Sequence, residues 1–75
     1  MLKDKRKRIV VAVNDYESYE TVLDKLKELD VKILNKTYNV TWNMYDIVTI
    51  MNIDQAKTML EIVKDIGGLM LKGEP

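Results

Sequence analysis

Residues 43–54 read NMYDIVTIMNID, and this stretch decides the fold because its strand-forming centre is apolar on both faces. Side chains alternate along an extended chain, so Ile47 and Met51 lie on one face while Val48 and Ile50 lie on the other. A strand with two apolar faces belongs in the middle of a sheet, where both faces are covered. The sequence therefore predicts a central strand here, and something must cover its second face.

Three further strands are predicted around this one. Residues 8–14, RIVVAVN, are also apolar on both faces and rich in valine, which favours a second central strand. Residues 31–42, VKILNKTYNVTW, form a strand with one wetter face, and residues 69–72 form a short edge strand. In the 31–42 strand, strict alternation predicts Leu34, Tyr38, Val40 and Trp42 on one face and Ile33, Asn35, Thr37, Asn39 and Thr41 on the other.

Two amphipathic helices are predicted from apolar residues at helical spacing. The first runs from about Tyr19 and is capped by Asp15 or Ser18; the second is capped by Asp54 and ends at the glycine pair 67–68. Their apolar faces repeat thirty-seven positions apart: Tyr19, Val22, Leu23, Leu26 and Leu29 in the first helix, and Ala56, Met59, Leu60, Val63 and Ile66 in the second.

The element order and the repeat predict one fold. Two βαβ-like halves joined by right-handed crossovers form a ferredoxin-like βαββαβ plait of the α+β class. Its four-stranded antiparallel sheet has the order 4-1-3-2, with both helices on one face. That order places the first and third strands at the centre, in agreement with their apolar faces. We expect a single domain over residues 9–75, preceded by a basic arm over residues 1–8.

Helices on one face leave the other face of the sheet open. The sequence leaves open which residues lie there, but either choice exposes an apolar patch of a size that is unusual on a monomer. We therefore expect a homodimer that covers this patch. The two alternatives for the dimer face are Val10, Ala12, Val48 and Ile50, or Ile9, Val11, Val13, Ile47, Met51 and Ile53.

The composition narrows the function classes. The 75 residues include no cysteine and no histidine, which removes disulfides, thiolate ligands and imidazole ligands. We predict no metal site, no cofactor and no catalytic residue. No apolar run approaches the roughly 20 residues that span a bilayer, so we expect a soluble chain without a membrane partner, assigned to the cytoplasm by default.

Charge is distributed unevenly along the chain. Residues 1–8 carry a net charge of +4 and residues 9–75 a net charge of −4. The basic arm has two interpretations: a solvated tail, or an alternative function in which it contacts the phosphates of a nucleic acid. In the alternative function, the contacting residues are Lys3, Lys5, Arg6, Lys7 and Arg8.

The segment TWNMYDIVTIMNIDQAK, residues 41–57, resembles GYD-type domains and related dimeric α+β barrel proteins, and the resemblance extends over roughly residues 31–66. In that family Gly-x-Tyr-Asp opens the third strand and an aspartate caps the next helix. Tyr45, Asp46 and Asp54 match this pattern, whereas Asn43 stands where the family has glycine. The resemblance implies a ferredoxin-like fold and dimers formed face to face.

A small ligand, if the chain binds one, is expected in a cleft beside the third strand. Tyr45 and Asp46 would supply its polar groups and Trp42 an apolar wall. A small enzyme using Asp46 as base is an alternative, and the simpler interpretation is that Asp46 bonds local backbone N–H groups while Trp42 belongs to a core or dimer interface.

Two functions of ferredoxin-like folds lack their residues in this chain. An RNA-recognition motif stacks bases on aromatic residues of its first and third strands, and neither IVVAVN nor DIVTIMNI contains an aromatic residue. An amino-acid-sensing ACT domain usually has glycine in its first strand-to-helix connection, and NDYESY has none. A binding or assembly module without catalysis is therefore the predicted function.

Overall fold

The computed structural model describes residues 6–72, so Lys3 and Lys5 of the predicted arm lie outside the described residues. The chain forms an α+β fold of the predicted ferredoxin-like type, with two helices and a four-stranded antiparallel sheet. The elements in chain order are β1 (Lys7–Val13), α1 (Tyr16–Glu28), β2 (Lys32–Asn39), β3 (Met44–Met51), α2 (Ile53–Asp65) and β4 (Leu69–Lys72).

The strand order is β2-β3-β1-β4, which is the predicted order read from the opposite edge. The two strands that are apolar on both faces, β1 and β3, pair at the centre, with Val10 opposite Val48 and Val11 opposite Ile47. The short strand β4 pairs with β1 at one edge, and the more polar β2 pairs with β3 at the other.

The core lies between one face of the sheet and the two helices. Each helix contributes its apolar face, because side chains return to the same face of a helix about every 3.6 residues. Each central strand contributes every second residue, because side chains alternate between the two faces of a strand. The side chains that are fully or almost fully buried are Val11, Val13, Val22, Leu26, Ile47, Met51, Met59 and Val63. The polar residue Thr49 is also buried, and its hydroxyl donates a hydrogen bond to the Ile9 carbonyl at 2.8 Å.

The start of α1 agrees with one of its two predicted caps, whereas the start of α2 differs from the prediction. α1 begins at Tyr16 with Asp15 at the N-cap position, three residues before the first apolar residue of the predicted helix face. α2 begins at Ile53, so its cap is Asn52 and not Asp54. Asn52 and Gln55 form a capping box, which satisfies two backbone N–H groups and therefore outcompetes the single cap that Asp54 could offer.

Strand β2 departs from strict alternation. A register shift between Ile33 and Asn35 leaves Leu34 as an extra residue, so Ile33 and Tyr38 share a face, contrary to the prediction. The strand also ends at Asn39, three residues early. Val40 and Trp42 belong to the turn before β3, in which Asn43 has a left-handed φ of 59°, and both side chains are largely exposed.

No helix within residues 6–72 is long and apolar enough to cross a membrane.

Candidate functional site

The face of the sheet turned away from the helices carries a continuous group of apolar side chains. Register pairs place Val10 and Ala12 of β1 beside Val48 of β3. β4 extends the group with two leucines that are each about half exposed, at 52% and 54%. We call this group the open face; it consists of Val10, Ala12, Val48, Ile50, Leu69 and Leu71.

This arrangement shows which of the two candidate sets of residues lies on the open face. Val11, Val13, Ile47 and Met51 of the second set are buried beneath the helices, so this set does not form the open face. Ile53, its last member, is not a strand residue, because β3 ends at Met51 and Ile53 starts α2. The first set lies on the open face. Leu69 and Leu71 were missed because the 69–72 segment is too short to show a clear alternation.

The charges on the open face are segregated along the strands. Arg8 and Lys32 both pair with Ile50, so two cations flank that residue at one end of the sheet. Asp46, four residues before Ile50 in β3, pairs with Ala12 and Thr37. The open face is therefore basic at one end, apolar at its centre and acidic towards the other end.

The predicted ligand residues do not converge on one cleft. Tyr45 and Asp46 are successive residues of β3 and face opposite sides of the sheet. Tyr45 pairs with the core residue Val13 on the helix side, whereas Asp46 pairs with Ala12 on the open face. Trp42 lies in the β2–β3 turn with 72% of its surface exposed, and its backbone N–H donates to Asn39 Oδ1 at 3.1 Å.

Tyr45 instead lies at the centre of a second surface feature, where all four tyrosines of the chain meet. Its ring stacks on Tyr19 with centroids 4.8 Å apart and an interplanar angle of 28°. It makes edge contacts with Tyr38 at 4.8 Å and with Tyr16 at 6.0 Å. We call Tyr16, Tyr19, Tyr38 and Tyr45 the tyrosine cluster; it lies on the helix side of the sheet, near the start of α1.

The two outer rings of the cluster are accessible and hold polar partners. Tyr16 is 57% exposed and Tyr38 is 46% exposed. The hydroxyl of Tyr38 bonds to Asn43 in the turn. A hydrogen bond to the Glu20 carboxylate, supported by the negative charge of that group, raises the pKa of Tyr16 above its ordinary value. The sequence analysis missed this cluster, although two features of the sequence indicate it. Tyr16 and Tyr19 are three positions apart, which is helical spacing, and Tyr38 and Tyr45 are equally far from the centre of the turn between two paired strands.

A shallow groove of about 220 Å³ runs between α2 and the edge strand β4. Ile9, Met70 and Leu60 are among its apolar lining residues, and Lys57 and Lys72 add two cations. Its apolar lining continues the exposed stripe of α2 that Ile53 and Leu60 form.

The described part of the basic arm does not form one phosphate-binding surface. Arg6 is exposed and precedes the sheet, while Lys7 and Arg8 are the first two residues of β1. They face opposite sides, because Lys7 pairs with the helix-side residue Met51 and Arg8 pairs with Ile50.

The sequence matches no family model, and no curated protein matches it. The GYD-type resemblance therefore stays a prediction at the level of family.

Solved structures do share the fold. An uncharacterised protein from Thermotoga maritima is 19% identical with a TM-score of 0.65, covering 96% of this chain and 100% of its own. A DUF2179 protein from Eubacterium ventriosum is 14% identical with a TM-score of 0.66, covering 93% and 100%. The ACT domain from a GTP pyrophosphokinase of Chlorobium tepidum is 13% identical with a TM-score of 0.61, covering 95% and 100%. These similarities show that the chain shares the α+β fold of these small domains.

Proposed function

We propose that this protein is a small non-catalytic binding and assembly module whose two copies associate through the open face. The observation that carries the proposal is the apolar surface of the open face, which the helices do not cover. Fully burying one valine, leucine or isoleucine side chain stabilises by about 1.5–3 kcal/mol. A 75-residue chain buries only about 60% of its unfolded surface, so the additional burial matters for its stability.

The charge pattern supports a second copy of this chain as the occupant of the open face. Side chains that are register partners form rows across the sheet, perpendicular to the strands. In a dimer whose two-fold axis lies between the sheets and perpendicular to the strands, a row at one end of the open face packs on a row at the opposite end of the partner's open face. With the axis over Val10, Asp46 of the partner subunit lies over Ile50, between Arg8 and Lys32. The surface is thus complementary to itself, with two cations around each carboxylate.

The other face-to-face arrangement is disfavoured by the same charges. If the axis is parallel to the strands, each row packs on the same row of the partner subunit. Arg8 then lies opposite Lys32 of the partner subunit, and Lys32 lies opposite Arg8 of the partner subunit. Like charges placed opposite one another reduce affinity. The proposed dimer therefore has antiparallel central strands stacked across the interface, at the small angle that sheet twist imposes.

The test is the solution mass by sedimentation equilibrium from micromolar to millimolar concentration. We expect a dimer for the native chain and a folded monomer for Val48→Lys, since this variant places a charge at the centre of the open face. Leu60→Lys is the matched control, because Leu60 is 46% exposed on α2 and outside the proposed interface. A native monomer at every concentration, or equal dissociation by both variants, would overturn the proposal.

A further inference from the structure

The tyrosine cluster has a chemistry that neither the core nor the open face uses. Tyr19 and Tyr45 are half-buried and pack against the core, so packing accounts for their rings. Tyr16 and Tyr38 extend this pair outward, and each leaves about half of its residue surface accessible. Aromatic rings attract cations to their faces and planar groups to stacked positions. The outer rings are therefore a potential recognition surface beyond their contribution to packing.

The charge beside these rings is negative. Residues 9–24 contain four carboxylates and no lysine or arginine: Asp15, Glu17, Glu20 and Asp24. Glu20 follows Tyr16 by four positions in α1, and this spacing places its carboxylate on the same face of the helix as the Tyr16 ring. Phosphate-bearing ligands are repelled by such a field, and cationic groups are attracted to it. Lys36, two residues before Tyr38 on the same face of β2, is a cation on this side of the sheet.

We propose that the tyrosine cluster, together with Glu20, binds the guanidinium group of an arginine side chain carried by a partner protein. A guanidinium is planar, so it stacks on an exposed tyrosine ring while its N–H groups donate to a carboxylate at the ring's edge. An ammonium group offers a point charge without a stacking face. Tyr16 supplies the ring one helical turn before Glu20, and Tyr38 supplies the second accessible ring beside Tyr45.

This binding surface is separate from the proposed dimer interface. Tyr38 and Tyr45 form a register pair on the helix side, and the open face lies on the other side of the sheet. The rings of Tyr16 and Tyr38 and the carboxylate of Glu20 therefore remain accessible when two copies associate through the open face. The arginine site does not depend on dimerisation. The monomeric variant Val48→Lys is therefore expected to bind an arginine-containing peptide as tightly as the native chain does.

The test is an NMR titration of the full chain with the blocked peptide acetyl-Gly-Arg-Gly-amide. The matched peptides carry citrulline, which keeps the planar shape without the charge, or lysine, which keeps the charge without the plane. We expect shifts of the tyrosine ring resonances and binding of the arginine peptide about tenfold tighter than of either matched peptide.

Variants identify the residues responsible. Glu20→Gln and Tyr16→Ala, both at exposed positions, are each expected to weaken binding of the arginine peptide by about fivefold. Leu60→Ala, on the other helix, is the control and leaves binding unchanged. Equal binding of the arginine and citrulline peptides, or unchanged binding by both Glu20→Gln and Tyr16→Ala, overturns the proposal. Free L-arginine binding as tightly as the peptide overturns its assignment to a protein partner.

Discussion

The side-chain amide of Gln55 at the start of α2 donates a hydrogen bond to the backbone carbonyl of Leu29 at the end of α1, with Nε2 and the oxygen 2.9 Å apart. The same side chain accepts from the N–H of Asn52 at 2.9 Å, and the N–H of Gln55 donates to Asn52 Oδ1 at 2.8 Å. One glutamine thus completes the cap of α2 and satisfies a carbonyl at the C-terminal end of α1.

Gln55→Ala is expected to lower the free energy of unfolding by about 2 kcal/mol, because it removes two side-chain hydrogen bonds worth about 1 kcal/mol each. Urea unfolding measures this change. Gln55→Glu keeps the acceptor of the capping box but removes the donor to Leu29, so it should be destabilised by a smaller amount. Native stability of the alanine variant would show that the contact between the helices contributes nothing.

The two glycines after α2 are expected to respond differently to substitution. A Cβ at Gly68 would lie 2.8 Å from the Ala12 carbonyl oxygen and 2.9 Å from Val13 Cγ1, so Gly68→Ala forces β4 away from β1. We expect a loss of about 1–3 kcal/mol. Gly67 has a φ of 75° with open space around it, so Gly67→Asn should be close to neutral, since asparagine tolerates this conformation. Thermal unfolding of both variants checks the order, and a more damaging change at Gly67 would contradict it.

Trp42 and Tyr45 were predicted to share a site, yet the structure gives them unequal structural roles. Trp42→Ala is expected to change the free energy of unfolding by no more than about 0.5 kcal/mol, because the side chain is 72% exposed. Tyr45→Ala removes the ring that contacts Tyr16, Tyr19 and Tyr38, and we expect a loss of about 3 kcal/mol. Urea unfolding of the two variants checks this, and equal losses would contradict the arrangement of the cluster.

The raised pKa of Tyr16 predicts a pH dependence with a definite sign. The carboxylate of Glu20 stabilises the protonated phenol, so the folded-state pKa lies above the ordinary value of 10.0. The resulting stabilisation is fully present below the pKa of the unfolded chain and is lost as the pH rises through the folded-state pKa.

NMR titration of the Tyr16 ring is the direct measurement of this shift. In Glu20→Gln the pKa of Tyr16 is expected to fall back towards its ordinary value, because the hydrogen bond to a carboxylate and its charge are both removed. Glu17→Gln, on the same turn of α1, is the control. An equal fall in both variants would assign the shift to the general negative charge of the helix.

The orientation of the proposed dimer predicts the effect of reversing charges on the open face. Arg8→Glu places a carboxylate near Asp46 of the partner subunit and should weaken the dimer, and Asp46→Lys should weaken it as well. The double variant should dimerise more tightly than the sum of the two single effects on the dimerisation free energy predicts. The expected coupling energy between the two positions is about 0.5–3 kcal/mol. Sedimentation equilibrium measures all four chains. Tighter association of Arg8→Glu would favour the axis parallel to the strands.

Much of the architecture was predictable from local patterns. The apolar residues of β1 and β3 alternate onto both faces, and those of the two helices recur every three or four positions, so element types and strand order were predicted correctly. Local competition explains the errors. The capping box of Asn52 and Gln55 moved the start of α2, and the extra residue at Leu34 reversed the alternation of β2. These shifts depend on which of several competing hydrogen bonds forms, and the pattern of apolar residues does not predict that.

The sequence by itself determined that β1 and β3 are central and apolar on both faces, because alternation along a strand is a property of the chain alone. Only the tertiary structure decided that Val10 and Val48 lie on the open face, since the choice depends on the side to which both helices pack. It also decided that Tyr45 joins three other tyrosines while Asp46 faces away from them. Contacts between residues distant in the chain arise from the packing of helices on the sheet, and local periodicity carries no information about them.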